Sequence, residues 1–493
     1  MEEPPDIILF FQTAYCTHFQ HVPKGKQAGN HQMKTKSILR KIYDPNLGSV
    51  ETASGRMTLW NVFLPMFLEL FLVNLRGTVN TFSLSYYSDD AVAAVGSAGQ
   101  FVSMVNTFYT VISSGCSIVM SQEIGAGRKK AASESAFCAL VCMAGISVLC
   151  SILLSANARA MMTMLNIRGE VLDEAAAYYR ITISFSFVYG LNSILYAIFK
   201  SNGYPKYSVF ANLCMNGINA ALNYIVVFHP EHAVAQGVRG IAWSYCIAML
   251  CAHLVAQFLL HRARLSLRLT GHSLRSLRKI LVILKIGVPG GISSLSYSVS
   301  QLVTTAIIAT IGVKAISTKI YVSNIVFYVY CVGLSLGLAS SLLTSWLCGA
   351  GKYEQAYRLN LQNLKVTVTL NAVLSLLFFL FGAPLLRIFT DDPEILRTGR
   401  VLLGLDIFVE LFRAFNHIEA NSLQGAGDVV FPMRIAIFSC WSISILLSWL
   451  FGIQMHLGLA GCWIAFALDE MFRGLNYLHR WRSRKWQGMT VRE

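Results

Sequence analysis

Charged residues are scarce in this sequence. Only 13% of the 493 residues are charged, whereas 55% are hydrophobic. A soluble globular domain carries about 25% charged residues. So little charge cannot cover the surface of a soluble protein of this length, and the bilayer is the natural solvent for what remains. The scarcity of charge therefore predicts an integral membrane protein in contact with lipid.

Acidic residues are the scarcer of the two signs. There are 25 Asp and Glu against 40 Lys and Arg, which gives a formal net charge of +15. A basic balance could indicate a nucleic-acid partner, but that interpretation needs a basic face or a binding motif. Here the basic residues fall between long apolar runs, as in the cytoplasmic loops of membrane proteins. We therefore expect no nucleic-acid partner.

Motifs for metals and for catalysis are also missing. None of the twelve cysteines forms a CxxC pair, and no histidine stands at zinc-ligand spacing. The GAG segments beginning at Gly125 and Gly349 lack the following GK[ST] of a phosphate loop. No nucleophile–base pair appears at the end of an apolar run. The sequence predicts no metal site, no cofactor and no enzymatic activity.

Long apolar runs, in contrast, fill most of the chain. A membrane-spanning helix needs about 20 mostly apolar residues. The runs predict twelve spans, at 58–84, 91–121, 133–155, 178–199, 207–229, 238–260, 281–311, 317–346, 362–384, 400–423, 431–453 and 458–480.

The basic residues between the spans fall on one side of the predicted membrane. The stretch 262–285 holds seven Lys and Arg and no acidic residue. The positive-inside rule places such segments in the cytoplasm, and with them both termini. The other basic segments on that side contain Arg128, Lys129, Lys130, Lys200, Lys206, Arg480, Arg482, Arg484 and Lys485. The opposite loops carry Asp89, Asp90, Glu231, Asp391, Asp392 and Glu394.

The chain also repeats itself. GAGRKKAA begins at Gly125 and GAGKYEQA at Gly349, and Pro65 and Pro289 show the same offset in numbering (349 − 125 = 289 − 65 = 224). Because six is even, both six-span halves have the same topology and pair about an axis along the membrane normal. The fold class is therefore all-α integral membrane, with twelve transmembrane helices in two pseudo-twofold-related six-helix bundles. Further landmarks at this offset are Gly203 with Gly427, Glu170 with Glu394, and Leu172 with Leu396; Gly237 and Gly458 are separated by slightly less.

The runs divide the chain into five parts. We expect an N-terminal cytoplasmic segment (1–56), a first six-helix bundle (57–261), a basic cytoplasmic linker (262–280), a second six-helix bundle (281–482) and a cytoplasmic tail (483–493). The segment before Met33 has acidic residues ahead of a short apolar run, unlike a signal peptide. From Met33 the sequence is basic, so we expect translation to begin there and residues 1–32 to be dispensable.

Several ordered motifs resemble the multidrug and toxin extrusion (MATE) family, particularly its bacterial DNA-damage-inducible-type branch. They cover the chain from about Met57 to Trp486. The motifs are LPMFLELF, DDAVAAVG, GAGRKKAA, SYSVSQLV, ELFRAFN, QGAGDVVFPM, FALDEMFRG and HRWRSRKW.

The resemblance implies a secondary active transporter that exports small organic, often cationic, compounds by antiport with H⁺ or Na⁺. It implies a multi-pass protein of the bacterial inner membrane, which we expect to be monomeric. Two alternatives stay open: a flippase-like transporter of a lipid-linked or amphipathic substrate, and a transport-impaired scaffold or receptor. Buried charges that served no purpose would be costly, which disfavours the scaffold.

Ionisable residues inside a membrane span are functional candidates. In the first span Glu69, Arg76 and Asn80 lie within about 40° on one helix face. In the tenth span Asp406, Glu410, Arg413 and His417 also share one face. Glu410 and Arg413 resemble the family's E..R motif, followed by Asn416. The alternative is that Glu410 and Arg413 only hold helices together.

Three other candidates are indicated by motif position and by helical spacing. Gln301 lies in the SYSVSQLV motif, and Asn216 and Asn219 repeat at helical spacing, which suits helix packing as well as substrate contact. In the twelfth span Asp469, Glu470 and Arg473 predict an internal ion pair at the cytoplasmic face.

Two departures from the family concern its acidic residues. Many relatives carry Asp where this chain has Asn80, and Glu near the start of span seven where it has Ser293. Arg76 adds a positive charge where relatives are usually apolar, and we expect it to stabilise ionised Glu69. The usual cation site of the first half should therefore be absent, and coupling should depend first on Glu410 and then on Glu69.

Overall fold

The apolar runs of the sequence fold into long helices. The structure, a computed structural model, describes residues 44, 47–52, 54–85, 89–163, 169–265, 267 and 273–489. Residues 1–32, predicted to be dispensable, and the predicted start at Met33 lie outside the described residues. Before the first helix, β1 (Val50–Thr52) pairs with β2 (Gly55–Met57) in an antiparallel hairpin. No pattern in the sequence predicted this hairpin.

Within its described residues, the first half contains eight α-helices that make up six spans. The fourth span is the pair α5–α6, which is bent by 44°. The helices are α1 (Leu59–Ser85), α2 (Asp89–Gly125), α3 (Lys129–Ala156), α4 (Ala158–Thr163), α5 (Glu170–Ser184), α6 (Ser186–Ser201), α7 (Pro205–Phe228) and α8 (Gly237–Arg262).

The second half repeats this order. Its eleventh span includes two π-helical stretches, Cys440–Ile445 and Leu450–Gln454. The helices are α9 (Ser273–Ile311), α10 (Val313–Gly349), α11 (Tyr353–Leu380), α12 (Gly382–Arg387), α13 (Pro393–Ala426), α14 (Val430–Ser439), α15 (Leu446–Trp449) and α16 (Gly458–Arg482).

These helices give the twelve predicted spans. Among the described residues, nine helices are long and apolar enough to cross a bilayer, and α5–α6 makes a tenth span. The remaining two spans are α13 and α16, which are long enough but carry the buried charged residues described below. Helix α9 begins at Ser273, within the stretch assigned to the basic linker.

Local sequence explains where helix α13 begins and ends. Asp392 precedes α13, and its Oδ1 accepts a hydrogen bond from the Glu394 backbone N–H at 2.9 Å. Pro393 follows at the first helical position, where its missing N–H costs nothing. Gly427 ends the same helix with φ of 99°, a left-handed conformation that glycine adopts without strain.

The two halves meet along α9 and α10. Helix α9 packs against α2 and α3, and α10 packs against α1 and α2. At one end of the molecule, which we call the GAG end, α2 stops at Gly125 and α10 at Gly349. The space for a Gly125 side chain is filled by the Trp346 carbonyl, and that for a Gly349 side chain by the Gln122 carbonyl. The halves are therefore closed against each other at the GAG end.

Candidate functional site

The second half contains a buried charged cluster centred on α13. Glu410 is fully buried and forms an ion pair with Arg413, three residues further along the helix. Asn371 of α11 donates to the Glu410 Oε2 at 3.3 Å. The guanidinium of Arg413 also lies over the Tyr330 ring, 5.8 Å from its centroid. Glu410 and Arg413 therefore form the ion pair expected if their role is structural. Arg413 also lines a cavity, as expected if its role is functional.

Helix α16 supplies the other side of the cluster. Arg413 Nε donates to Glu470 Oε1 at 3.1 Å, and Asn416 Nδ2 donates to Glu470 Oε2 at 2.8 Å. Arg473 contacts Asp469 at 2.6 Å and Glu470 at 3.1 Å. Charged hydrogen bonds on every side offset the cost of burying these groups. One connected network thus joins α13 to α16.

The sequence analysis misplaced the residues of α16. Asp469, Glu470 and Arg473 were predicted to form an ion pair at the cytoplasmic face. They lie in the middle of a helix that runs from Gly458 to Arg482, and they line the same cavity as Asp406. The predicted ion pair is present, but its predicted position at the cytoplasmic face was wrong. The span predicted at 458–480 already has residues 469–473 near its middle, so the error lay in reading charged residues as the end of the span.

Asp406 lies one turn before Glu410. Its Oδ1 accepts a hydrogen bond from Trp463 Nε1 at 3.2 Å, while its Oδ2 has no partner among the described residues. A buried acceptor without a partner costs about 1–3 kcal/mol. This carboxylate oxygen is therefore available to a proton, a water molecule or a cation.

The cluster surrounds a cavity of about 240 Å³. Drug-sized ligands occupy pockets of roughly 300–1,000 Å³, whereas one water takes about 30 Å³. The cavity therefore suits a hydrated cation better than an organic compound. Its lining includes Tyr297, Gln301, Lys319, Tyr330, Asp406, Arg413, Trp463, Asp469, Glu470 and Arg473.

The charges of this cluster do not balance. Three cationic side chains, Lys319, Arg413 and Arg473, face four carboxylates. Lys319 Nζ is held at 2.5 Å by the Thr305 hydroxyl. With all groups ionised, one negative charge is in excess, and a buried excess charge is costly. The carboxylates are Asp406, Glu410, Asp469 and Glu470.

The first half has a smaller ion pair, which the sequence did not predict. Glu69 of α1 contacts Lys200 Nζ of α6 at 2.9 Å and accepts a hydrogen bond from Ser208 of α7 at 2.9 Å. The partner of Glu69 is thus Lys200, and the expectation that Arg76 would stabilise the Glu69 carboxylate was wrong. Arg76 lies two helical turns away. Lys200 was assigned to a basic loop, although its position at the end of a span allowed it to reach inward.

Arg76 has no acidic partner among the described residues. It is 8% exposed, and its Nη1 lies 3.1 Å from the Met215 sulfur of α7. The guanidinium lies over the Tyr245 ring of α8, 5.6 Å from its centroid. A positive charge therefore stands inside the first bundle with a sulfur atom and an aromatic ring as its neighbours.

The three predicted asparagines of this half differ in their surroundings. Asn80 accepts a hydrogen bond from Asn223 at 2.8 Å, which joins α1 to α7. Asn216 donates to the Asn212 carbonyl of its own helix, at 2.8 Å. Asn219 is 1% exposed, and neither of its amide atoms has a partner among the described residues. Of the three, Asn219 is the one that is both buried and available for a new contact.

The structure therefore separates the sequence candidates into two groups. Five of them, Asp406, Glu410, Arg413, Asn416 and Gln301, belong to the cluster and cavity of the second half. The others lie in the first half, in or beside the contact between α1 and α7. Neighbours of the cluster that sequence reasoning missed include Asn371, Lys319 and Trp463. Lys319 could have been found, because a lysine within a predicted span is a functional candidate.

The fold and motifs agree with known proteins. The MatE family model matches residues 65–225 and again residues 289–450. The two matches begin at Pro65 and Pro289, which are equivalent positions of the internal repeat. The chain belongs to the MATE family. MATE proteins are transporters rather than enzymes, and the expectation of a transporter is confirmed. Assignment to the DNA-damage-inducible branch stays a prediction.

The alignments with two bacterial relatives cover most of both chains. The chain is 33% identical over 436 residues to YisQ of Bacillus subtilis (strain 168), named an uncharacterized transporter. That alignment covers 88% of this chain and 96% of YisQ. The chain is 24% identical to the probable multidrug resistance protein NorM of Thermotoga maritima, with 91% and 97% covered.

Solved structures confirm the fold of two six-helix lobes. A MOP superfamily transporter from Pyrococcus furiosus Vc1, described by the reverse polarity of its binding pocket, gives a TM-score of 0.80 at 18% identity. The match covers 88% of this chain and 96% of that one. An outward-facing MATE family transporter of the same superfamily gives 0.80 at 20% identity, with 86% and 95% covered.

Proposed function

We propose that this MATE transporter exports small organic compounds in exchange for H⁺ or Na⁺, and that the charged cluster of the second half is the coupling site. The excess carboxylate of that cluster carries the proposal. A cation that enters the cavity removes the excess charge, and a cation that leaves restores it. Binding of the coupling ion therefore changes the electrostatic energy of the α13–α16 contact.

Asp406 and Glu410 are the ion-binding groups in this proposal. They stand one helical turn apart, and Asp406 Oδ2 has no partner among the described residues. Protonation of Glu410 breaks one ion pair, the one with Arg413. Protonation of Glu470 would break two, with Arg413 and Arg473, so Glu410 takes up a proton more readily. Asn371 holds the Glu410 side chain in place. Gln301 supplies a neutral amide at the cavity wall.

The first half cannot supply an equivalent cation site in this scheme. Asn80 does not titrate, and Ser293 hydrogen-bonds to the Pro289 carbonyl of its own helix at 3.0 Å. Glu69 is already neutralised by Lys200. Coupling in this protein is therefore assigned to one half only.

The orientation in the membrane follows from the distribution of basic loops. The GAG end adjoins Arg128, Lys129 and Lys130, so the positive-inside rule places it in the cytoplasm, with both termini. Contacts between the halves close that end, which corresponds to an outward-facing state. We propose a monomer in a bacterial plasma membrane, in keeping with the bacterial relatives YisQ and NorM.

Drug accumulation in an efflux-deficient bacterial host tests this function. Cells with the wild-type protein should accumulate less of at least one organic compound than cells with the empty vector. Dissipating the H⁺ gradient and the Na⁺ gradient separately should restore accumulation in one case only. Equal accumulation in all cells, for a panel of cationic, neutral and anionic compounds, would contradict export.

A further inference from the structure

The guanidinium of Arg76 is a buried charge that no carboxylate of the described residues neutralises. Its neighbours are a sulfur atom and an aromatic face, and neither carries a negative charge. A cation over an aromatic ring is stabilised only modestly. The nearby carboxylate of Glu69 is held by Lys200 and Ser208. Among the described residues, no ion pair to Arg76 is formed, so a bound anion would complete this site.

The arrangement of α1 and α7 places Asn219 beside Arg76. The two helices run parallel, and Ser208, Met215 and Asn223 of α7 contact Glu69, Arg76 and Asn80 of α1 in the same order. Asn219 lies four residues from both Met215 and Asn223, so it is on the same face of α7. Its unpartnered amide therefore faces α1 between Arg76 and Asn80.

A tyrosine hydroxyl adds a third group. The Tyr196 hydroxyl of α6 is buried without a hydrogen-bond partner among the described residues. Tyr196 lies one helical turn before Lys200, which contacts Glu69, so it is on the face of α6 that meets α1. An arginine fork, an amide N–H and a phenol O–H are all donors, and the Tyr245 ring adds an apolar wall. This combination matches an oxyanion attached to an aromatic or apolar body.

We propose that the first half binds the carboxylate of an organic acid, with Arg76 as its ion-pair partner and Asn219 and Tyr196 as further donors. The proposal rests on the proposed function and deepens it, because it names the substrate class: organic anions or zwitterions among the organic, often cationic, compounds implied by family resemblance. An arginine binds a carboxylate through two parallel N–H groups, which a lysine cannot do.

Calorimetric titration of the purified full-length protein in an uncharged detergent tests the site. The probes are benzoate, benzamide and benzylammonium, which share one ring and differ in charge. Wild-type protein should bind benzoate at least about tenfold more tightly than benzamide, since a hydrogen bond to a charged group is worth about a factor of ten or more. Equal affinity for the three probes would overturn the proposal without any variant.

Three variants identify the residue responsible. Arg76→Gln should remove the preference for benzoate, and Arg76→Lys should retain part of it. Arg180→Gln, at an exposed arginine of α5 in the same half, should leave it unchanged. Gel filtration and benzamide binding are the controls for folding: both should be the same in Arg76→Gln as in the wild-type protein. Retention of the full benzoate preference in folded Arg76→Gln would overturn the assignment.

A lipid headgroup could also supply an oxyanion. Adding phosphatidylglycerol to the titration separates the two sources. Unchanged benzoate affinity supports a soluble organic acid, whereas competition would assign the site to a lipid phosphate and overturn the substrate class proposed. Benzoate binding does not depend on the coupling site. Loss of coupling in the second half with benzoate binding intact would therefore contradict the proposed function and leave this site standing.

Discussion

Gln122 and Trp346 occupy equivalent ends of α2 and α10 and make the same contact in opposite directions. Gln122 Nε2 of the first half donates to the Gly425 carbonyl of the second at 2.8 Å. Trp346 Nε1 of the second half donates to the Ser201 carbonyl of the first at 2.9 Å. Both pairs, Gln122 with Trp346 and Ser201 with Gly425, have the offset of the internal repeat. The repeat thus produces a two-fold pair of hydrogen bonds that closes the GAG end.

Substitution of Gly349 by valine should open this end. The added side chain would meet the Gln122 carbonyl, and overpacking costs about 1–3 kcal/mol, which is a factor of about 5 to 150 in the ratio of closed to open states. Cys348, buried next to it, should then react faster with a maleimide, as measured by peptide mass spectrometry. Gly145→Val is the control, because its side chain would meet nothing. Unchanged labelling of Cys348 in Gly349→Val would contradict the closure.

The Glu69–Lys200 contact should contribute to stability. Removing Lys200 leaves the Glu69 carboxylate in a mostly buried position with Ser208 as its remaining partner. Lys200→Met should lower the free energy of unfolding by about 1–3 kcal/mol. The double variant Lys200→Met with Glu69→Gln should recover part of that loss. Thermal unfolding of the wild-type protein, the two single variants Lys200→Met and Glu69→Gln, and the double variant measures the interaction energy between the two side chains. Strictly additive effects would argue against the pair.

Arg413 should be important for folding, because it joins two buried carboxylates of the cluster. It contacts Glu410 and Glu470, so Arg413→Met leaves two buried carboxylates without this partner. Breaking a buried pair costs about 3–5 kcal/mol. We expect a lower yield and a lower melting temperature, measured in detergent. Arg358→Met is the matched control, since Arg358 pairs with Glu354 on the surface. Equal melting temperatures for the two variants would contradict the importance of the cluster.

Most of the fold could be predicted from the sequence. Long apolar runs and the constant offset of the internal repeat depend only on local composition, and the structure has helices at all twelve predicted spans. The ninth span was placed too late, beginning at 362 in place of Tyr353. Its first two turns are polar, with Glu354, Arg358 and Asn360, so hydropathy alone did not include them.

The contacts of the candidate sites were harder to predict than the helices. Periodicity places Glu410 and Arg413 on one face of α13, but it cannot show that α16 packs against that face with Glu470. Likewise, Glu69 and Arg76 share a face of α1, yet Lys200 reaches Glu69 from another helix. These contacts depend on which helices are neighbours, and that information is not contained in the pattern of any one segment.

Ion-driven transport in Glu410→Gln tests the coupling account most directly. The wild-type protein and variants are reconstituted in liposomes, and efflux of a compound identified by the accumulation assay is followed under an imposed H⁺ or Na⁺ gradient. Glu394→Gln is the control, because Glu394 is an exposed glutamate of the same helix, outside the cluster. We predict that Glu410→Gln abolishes gradient-driven efflux and that Glu394→Gln retains it. Glu69→Gln should weaken efflux less, because it breaks the contact with Lys200 but removes no coupling group. Efflux by Glu410→Gln that follows the gradient at the wild-type rate would contradict the account.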